Sequence, residues 1–378
     1  MEYITDFERL FSQLDYKPDP DRLVSRNSSE NTIKLFEYLK SIYGNKFLSG
    51  QQYLQPNELE DVVYYRLTGK LPAVRGYDFM GVSTCRKPDD QVERAIKWAT
   101  ECGGIVTMCW HWYAPDDMND YSKGSAFYYK TTNYDNKTSF DILRAVEYGT
   151  AEYEFIIREI DGVAAQLKRM ADLDIPVLWR PLHEANGDWF WWGDHGGEKY
   201  IEAYKKLWYI MFDRMENYHK LNNLIWVWNG QDKRMQVNPN TYDIYGDDVY
   251  SEKPNDHSSL RGRFEYAQEY NHGKLTALSE CGYIPHPDEM KKDNVKWLWW
   301  LPWWGGFVYK REEWRPIIKD GFPVINDERM SEEFLKEVFA HEDVVSLQEL
   351  TWWDDKKYKI PDMLTENLKG IKEPIWKK

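Results

Sequence analysis

The sequence has few cysteines, no long apolar run and fewer basic than acidic residues, and each deficit excludes a class of protein. Four cysteines in 378 residues, none of them in a CxxC pair, do not form a disulfide scaffold. No apolar run approaches the roughly 20 residues that cross a bilayer, so no membrane span is expected. A formal net charge of -14 repels nucleic acids and anionic lipid surfaces. These properties favour a neutral or cationic partner.

The amino-terminal stretch MEYITDFERL lacks the basic and apolar regions of a secretory signal peptide. Two locations therefore stay open: a cytoplasmic protein, or a secreted protein whose signal peptide is absent from this sequence. We expect secretion.

Aromatic residues, in contrast, are abundant: 19 Trp, 27 Tyr and 15 Phe. Flat indole faces suit the C–H faces of sugar rings, whereas the alternative explanation is a Trp-rich core. Position decides between them, and several tryptophans fall at or just past predicted strand ends. These are Trp110, Trp112, Trp189, Trp191, Trp228, Trp303 and Trp304. The pattern favours an aromatic-lined binding site.

Eight short β-rich runs, several of them separated by helical patterns, predict an α/β fold, a (β/α)8 TIM barrel in a single domain. The runs are 47–53, 72–79, 104–112, 176–184, 224–230, 242–250, 275–281 and 297–304. An open doubly wound sheet is the alternative, but no GxGxxG motif follows a strand. We predict an N-terminal extension over residues 1–30 and a catalytic domain over 31–378 that includes a wrap-around tail.

Glutamates end two of the predicted strands, Glu184 the fourth and Glu280 the seventh. In TIM barrels the working residues lie at the carboxyl ends of strands. Cleavage of a glycosidic bond needs one protonated carboxyl at the leaving oxygen and one ionised carboxylate at the anomeric carbon. We expect these two side chains to face each other across the barrel mouth, about 5 to 5.5 Å apart for a retaining enzyme.

Several segments resemble glycoside hydrolase family 26, whose best-known members are β-1,4-mannanases. RPLHEANGDWFWWG resembles the acid/base segment of that family, and ALSECG is similar to its nucleophile strand. IVTMCWHWYAP and YDIYGDDVY look like its third and sixth strands, and EYLKSIYGNKFLSGQQ resembles the stretch that leads into its first strand. The resemblance covers residues 31 to 345 approximately.

The resemblance implies roles for individual residues. It makes Glu184 the general acid/base and Glu280 the nucleophile, with Tyr250 donating a hydrogen bond that keeps Glu280 ionised. Burial and the approach of Glu280 are expected to raise the pKa of Glu184. The residues predicted to bind substrate are His111, His183, Trp189, Tyr250, Trp303, Trp112 and Asp78. For Asp78 a buried hydrogen-bond network stays open as the alternative role.

The implied activity is hydrolysis of β-1,4-mannosidic bonds in mannan, glucomannan or galactomannan by double displacement. The alternatives are a β-glucanase or β-1,3-xylanase of the same family, and a non-catalytic carbohydrate-binding protein. A metal-dependent hydrolase is disfavoured because no HxH or HExxH motif occurs. We expect a monomer that needs no cofactor or metal and binds neither nucleic acid nor membranes.

Two long segments, 113–150 and 305–330, follow the third and eighth strands. Within the second segment, the run REEWRP (311–316) is predicted to be the solvated edge of a helix.

Overall fold

The eight predicted strands form one parallel sheet in the computed structural model, which describes residues 3–353 and 359–369. Along the sheet each strand neighbours the next in chain order, from β1 to β8. The strands are β1 Gly50–Gln52, β2 Val74–Asp78, β3 Ile105–Cys109, β4 Val177–Arg180, β5 Leu224–Trp228, β6 Ile244–Val249, β7 Leu275–Cys281 and β8 Trp300–Pro302.

The sheet curls until its first and last strands meet. Leu48 forms a parallel bridge with Trp299, and its amide donates to the carbonyl oxygen of Leu298 at 2.9 Å. The predicted TIM barrel is therefore confirmed. Because closure tilts all strands in the same sense, their carboxyl ends share one rim.

Helices occupy most of the connections between strands. They are α1 Phe7–Leu14, α2 Glu30–Ile42, α3 Leu59–Thr68, α4 Gln91–Lys97, α5 Ile142–Ala145, α6 Ala151–Asp172, α7 Glu198–Asp213, α8 Arg261–Gln268, α9 Pro287–Lys292, α10 Glu332–Ala340 and α11 Asp362–Asn367. The connection from β5 to β6 differs, since it holds only the 3-10 turns Lys233–Met235 and Pro239–Thr241. This fully described connection departs from a strict (β/α)8 repeat.

The longest helix, α6, illustrates why the sequence pattern predicts the outer ring. The hydroxyl of Thr150 accepts a hydrogen bond from the amide of Tyr153 and caps the amino end. Ile156, Ile160 and Val163 recur at helical spacing and are buried on the face towards the barrel. Burial of this apolar stripe fixes α6 against the sheet.

The amino-terminal end of the barrel is closed by α2. Leu35 and Leu39 of α2 pack in one cluster with the barrel residues Val74 and Ile105. The segment Val344–Val345 pairs in parallel with Phe47–Leu48 on the neighbouring chain stretch. With one end plugged, the carboxyl-terminal rim is left for the site.

The domain limits stay predictions. The residues before α2 include α1, whose Leu10 and Leu14 are buried, and α2 itself begins at Glu30. Residues 354–358 and 370–378 of the predicted tail lie outside the described residues.

The described ranges bear on two features expected from composition, membrane spans and disulfide bonds. No helix in residues 3–353 or 359–369 is both long and apolar enough to cross a bilayer. The four cysteines, including Cys85 and Cys102, carry free thiols.

The prediction of a helix edge at 311–316 is wrong. Arg311–Glu312 pairs with Arg315–Pro316 in an antiparallel hairpin whose two-residue turn is Glu313 and Trp314. The backbone of Glu313 has a φ of 54°, in the left-handed region that a helix does not use. This hairpin stands in the long connection between β8 and α10.

Candidate active site

A cleft with a volume of about 490 Å³ opens at the carboxyl-terminal rim of the barrel. It contains both predicted catalytic glutamates, two histidines, one glutamine, one aspartate and seven Phe, Tyr or Trp side chains. Its lining residues are His111, Tyr128, Tyr134, His183, Glu184, Trp189, Phe190, Gln231, Asp248, Tyr250, Glu280, Trp303 and Phe307. The volume is that of a small-molecule or oligosaccharide site.

The two glutamates reach the cleft in different ways. Glu280 lies within β7, as predicted, but β4 ends at Arg180 and Glu184 lies in the turn that follows. The backbone of Glu184 has a φ of 52°, a left-handed conformation that is costly for a residue with a side chain and concentrates at functional sites. One oxygen each of Glu184, Glu280 and Asp248 lie within 4.8 Å of one another. The expected convergence of the two glutamates is therefore present.

Two donors hold the carboxylate of Glu280. The hydroxyl of Tyr250 donates to Oε2 at 2.7 Å, and the guanidinium of Arg180 donates to Oε1. A second nitrogen of Arg180 donates to Asp248 at 2.6 Å. Because both Glu280 oxygens accept hydrogen bonds from separate elements, the carboxylate has one orientation.

The side chain of Asn229, just past β5, joins the turn that carries Glu184 to the strands β6 and β7. Its Oδ1 accepts from the amide of Glu184 at 2.8 Å, which fixes the left-handed turn. Its Nδ2 donates to Asp248 and to the hydroxyl of Ser279, both at 2.8 Å. The backbone position of the acid is thus tied to the strand that carries Glu280.

The surroundings give the two glutamate carboxyl groups different proton affinities. Burial, together with the charges of Asp248 and Glu280, raises the pKa of Glu184 well above its usual range. Burial also raises the pKa of Glu280, but Arg180 and the hydrogen bond from Tyr250 oppose that rise. The opposing contacts on Glu280 make Glu184 the carboxyl group that favours its protonated form more strongly, and the expected direction for the pKa of Glu184 is confirmed.

A buried pair supports the imidazole of His111. Nδ1 of His111 lies 2.5 Å from Oδ2 of Asp78, and Oδ1 of Asp78 accepts from the amide of His111 at 3.0 Å. Burial alone would raise the pKa of Asp78, but the imidazole of His111 holds it below its usual range. Asp78 is fully buried and does not line the cleft, so its predicted contact with substrate is wrong and the network role holds.

His183 lies beside His111, with 3.3 Å between their Nε2 atoms. Burial and the nearby His111 and Arg180 lower the pKa of His183 well below its usual range. His183 is therefore a neutral imidazole. Both histidines line the cleft as predicted, and their contact with sugar stays a prediction.

The prediction of Trp112 as a sugar platform is wrong. Its ring is fully buried and stacks on that of Trp110, with 3.9 Å between ring centroids. The carbonyl oxygen of Trp112 accepts from the indole of Trp191 at 2.7 Å. Trp191 and Trp228 are also fully buried. These indoles belong to one buried core cluster, so the Trp-rich-core alternative applies to them.

Two predicted platforms, Trp189 and Trp303, do line the cleft. The indole of Trp189 donates to Oε2 of Glu184 at 2.8 Å, so the ring and the acid are fixed together. Gly187 lies under this ring, because a Cβ there would come within 2.3 Å of it. The ring of Trp303 lies 5.6 Å from that of His111 between ring centroids.

The sequence profile of glycosyl hydrolase family 26 matches residues 24–328. The chain belongs to glycosyl hydrolase family 26. The resemblance found in the sequence segments is therefore confirmed.

Named relatives of this family 26 chain are mannanases. The chain is 36% identical to a mannan endo-1,4-beta-mannosidase of Thermothelomyces thermophilus over 89% of its length. It is 33% identical to a Podospora anserina GH26-CBM35 beta-(1,4)-mannanase, with a TM-score of 0.73, covering 89% of this chain and 70% of that one. A beta-mannanase from a symbiotic protist of the termite Reticulitermes speratus, complexed with gluco-manno-oligosaccharide, is 29% identical, with a TM-score of 0.72 and coverages of 90% and 100%.

The chain spans only part of the curated relatives. It covers 66% of the Thermothelomyces thermophilus protein and about half of two Piromyces mannan endo-1,4-beta-mannosidases.

Sequence reasoning missed several residues of this family 26 site. Arg180, Asn229 and Asp248 lie at or just past strand ends, so the rule that located the glutamates also applies to them. Tyr128 and Tyr134 come from the segment 113–150, whose path no periodicity predicts. Their rings stack with 3.8 Å between centroids and form one wall of the cleft.

Two groups of side chains within the described residues have the composition of metal ligands. One is Asp78, Cys109 and His111, and the other is Glu184, Asp248 and Glu280. Protein hydrogen bonds already join Asp78 to His111 and Arg180 to both Asp248 and Glu280.

Proposed function

We propose that this chain hydrolyses β-1,4-mannosidic bonds of mannan, glucomannan or galactomannan with retention of configuration. The carrying observation is the approach of Glu184 and Glu280 oxygens to within 4.8 Å in an open, aromatic-lined cleft. Carboxyl groups about 5 to 5.5 Å apart support a covalent glycosyl-enzyme, whereas inverting enzymes need about 6.5 to 9.5 Å for a water molecule.

In the first step Glu280 attacks the anomeric carbon while Glu184 transfers its proton to the glycosidic oxygen. The bond from carbon to the leaving oxygen breaks, and a bond from carbon to the Glu280 carboxylate forms. Glu184 supplies the proton because its raised pKa favours the protonated form. The hydrogen bonds from Arg180 and Tyr250 keep Glu280 ionised and aligned.

In the second step water attacks the same carbon. Glu184, now a carboxylate, takes a proton from that water, and the bond to Glu280 breaks. The pKa of Glu184 falls when the covalent bond forms, because the negative charge of Glu280 is then lost. Glu184 can therefore act as an acid in the first step and as a base in the second. Two inversions at one carbon give net retention.

The names of the relatives support mannan as the substrate class, since the Thermothelomyces thermophilus protein is a mannan endo-1,4-beta-mannosidase. The termite-symbiont structure, complexed with gluco-manno-oligosaccharide, supports tolerance of glucose units. Mannan is a neutral polymer, which agrees with the net charge of -14.

The test is sugar release from linear mannan by the wild type, Glu184→Gln and Glu280→Gln. We expect both variants to lose at least about a thousandfold in rate, because the two carboxyl groups act as a unit. Proton NMR of the first product should show the β-anomer. Lichenan and β-1,3-xylan are parallel substrates, and activity confined to either one contradicts the mannan assignment.

Secretion and a monomeric state are further proposals. A polymeric substrate supports secretion, because it does not cross a cell membrane. Activity in the culture supernatant of the source organism and sedimentation at the mass of one chain are the respective tests.

A further inference from the structure

Trp314 is the most exposed of the large hydrophobic residues that the structure describes, with 80% of its surface open to solvent. It occupies the apex of the hairpin that Arg311–Glu312 forms with Arg315–Pro316. The preceding Glu313 has a φ of 54°, although tight hairpin turns favour Asn or Gly at left-handed positions. A strained turn that displays an indole is unfavourable for folding alone, and such strain concentrates at functional sites.

The indole of Trp314 is held in place by Arg311. The guanidinium carbon of Arg311 lies 5.1 Å from the Trp314 ring centroid and 4.7 Å from that of Trp304. One guanidinium thus bridges two indoles by cation–π contacts. Trp314 therefore presents a positioned ring rather than a free one, which reduces the entropy lost on binding.

The polypeptide chain connects Trp304, which Arg311 contacts, directly to the cleft. Trp304 follows Trp303, which lines the cleft. A Cβ at Gly305 would come within 2.9 Å of Nη1 of Arg311, so glycine lets the guanidinium lie against this loop. The amide of Gly305 donates to the buried Glu60 of α3 at 2.7 Å. The loop that joins Trp303 to the hairpin is anchored at its base.

We propose that Trp314, positioned by Arg311, is a stacking platform for a distal sugar of the same polysaccharide chain that is cleaved between Glu184 and Glu280. This proposal rests on the proposed function. Trp303 lines the cleft, Trp304 follows it in the chain, and Arg311 contacts the rings of both Trp304 and Trp314. A flat apolar ring matches the C–H face of a neutral sugar.

A second copy of this chain is the competing occupant of the hairpin. Ile317 and Ile318, which follow the hairpin, are 40% and 50% exposed and would enlarge an apolar contact. The flanking charges of Glu312, Glu313 and Arg315 disfavour this, because the cores of protein interfaces are depleted of charged residues.

The experiment compares the wild type with Trp314→Ala on mannotriose to mannohexaose and on linear mannan. We expect the ratio of kcat/KM, variant over wild type, to fall with chain length, by about three- to tenfold between the shortest and the longest substrate. Tyr148→Ala is the matched control, since Tyr148 is 56% exposed and stands in the turn before α6. Its ratio should not depend on length.

A ratio for Trp314→Ala that is the same at every length overturns the platform. A wild type without activity on any mannan instead refutes the proposed function, so the two failures are distinguishable. Calorimetric titration of mannohexaose into Glu280→Gln and into Glu280→Gln with Trp314→Ala provides a readout without turnover. We expect a weaker affinity in the double variant by a similar factor, and equal affinities overturn the proposal.

Sedimentation velocity separates the competing occupant. A dimer of the wild type that dissociates in Trp314→Ala, together with length-independent kinetics, overturns the proposal in favour of self-association. Trp314→Phe retains a flat ring, and it should recover part of the length dependence.

Discussion

Tyr250 donates its hydroxyl hydrogen to Oε2 of Glu280 at 2.7 Å. Glu184, in turn, accepts a hydrogen bond on Oε2 from the indole of Trp189 at 2.8 Å. Each of these two glutamate carboxyl groups thus accepts a hydrogen bond from a side chain of a different rim segment. Because a hydrogen bond to an ionised carboxylate favours the ionised form, each donor lowers the pKa of one partner. Removal of the Tyr250 donor should therefore move the acid limb of the pH profile of kcat/KM, and removal of the Trp189 donor should move its basic limb.

Tyr250→Phe should shift the acid limb of kcat/KM to higher pH. The variant loses a hydrogen bond that lowers the pKa of Glu280, so the nucleophile becomes protonated at a higher pH than in the wild type. Loss of a hydrogen bond to a charged group also predicts a fall in kcat/KM of about 10- to 100-fold at the optimum. The measurement is a pH profile of mannohexaose hydrolysis.

Tyr270→Phe is the control for that experiment, since its hydroxyl contacts Tyr245 at 2.8 Å in the outer layer of the barrel. Its acid limb should coincide with that of the wild type. An unchanged acid limb in Tyr250→Phe would show that the hydroxyl does not tune Glu280.

Trp189→Phe should shift the basic limb instead. The substitution keeps an aromatic face but removes the N–H that lowers the pKa of Glu184, so the acid stays protonated to higher pH. We expect the descending limb of kcat/KM to move to higher pH while the acid limb stays in place. A basic limb that moves to lower pH would contradict the assignment of Glu184 as the acid.

The barrel and the catalytic pair were predictable because two strong regularities carry them. Strand-length β runs recur eight times, and glutamates end two of those runs. The sequence does not predict that Glu184 lies beyond β4 in a left-handed turn, because the amide of Glu184 is fixed by Asn229 from another strand. Such a contact depends on tertiary structure and has no local signal.

The indoles show the limit of arguments from position. Trp112 and Trp303 both follow strand ends, yet Trp112 is fully buried and Trp303 lines the cleft. A position at a strand end predicts at which end of the barrel a residue lies, but it does not predict whether the side chain is buried. The chain after β3 places Trp112 against Trp110 and Trp191, where it is buried. Whether Trp112 is buried depends on the path of the segment 113–150 that follows it.

Because Trp112 is buried and Trp303 lines the cleft, we expect substitutions of these two residues to have different effects on stability and on substrate binding. Trp112→Phe should lower the free energy of unfolding by about 1 to 3 kcal/mol, because it leaves a cavity in a packed cluster. Trp303→Ala should instead raise KM for mannohexaose while costing less stability. Urea unfolding and steady-state kinetics on both variants are the measurements. The reverse pattern would return Trp112 to the substrate-binding set.

The buried Glu60 predicts a pH dependence of stability at the base of the β8 loop. Its Oε1 accepts from the amide of Gly305, while Oε2 has no hydrogen-bond partner within the described residues. Burial raises the pKa of Glu60 to about 7, whereas a glutamate in the unfolded chain titrates near its usual pKa of 4.5. Between these values the folded state binds more protons than the unfolded state, so the stability of the wild type falls as pH rises.

Glu60→Gln should remove this dependence because glutamine keeps the acceptor for Gly305 and carries no charge at any pH. The free energy of unfolding of the variant, relative to the wild type, should rise by up to about 3 kcal/mol between pH 4.5 and pH 7 and then level off. Urea unfolding at several pH values measures it, with the exposed Glu147→Gln as control. Parallel stability curves for the wild type and Glu60→Gln would show that Glu60 is ionised throughout. In that case the loop that carries Trp303 would be anchored by a buried charge instead of a neutral carboxyl.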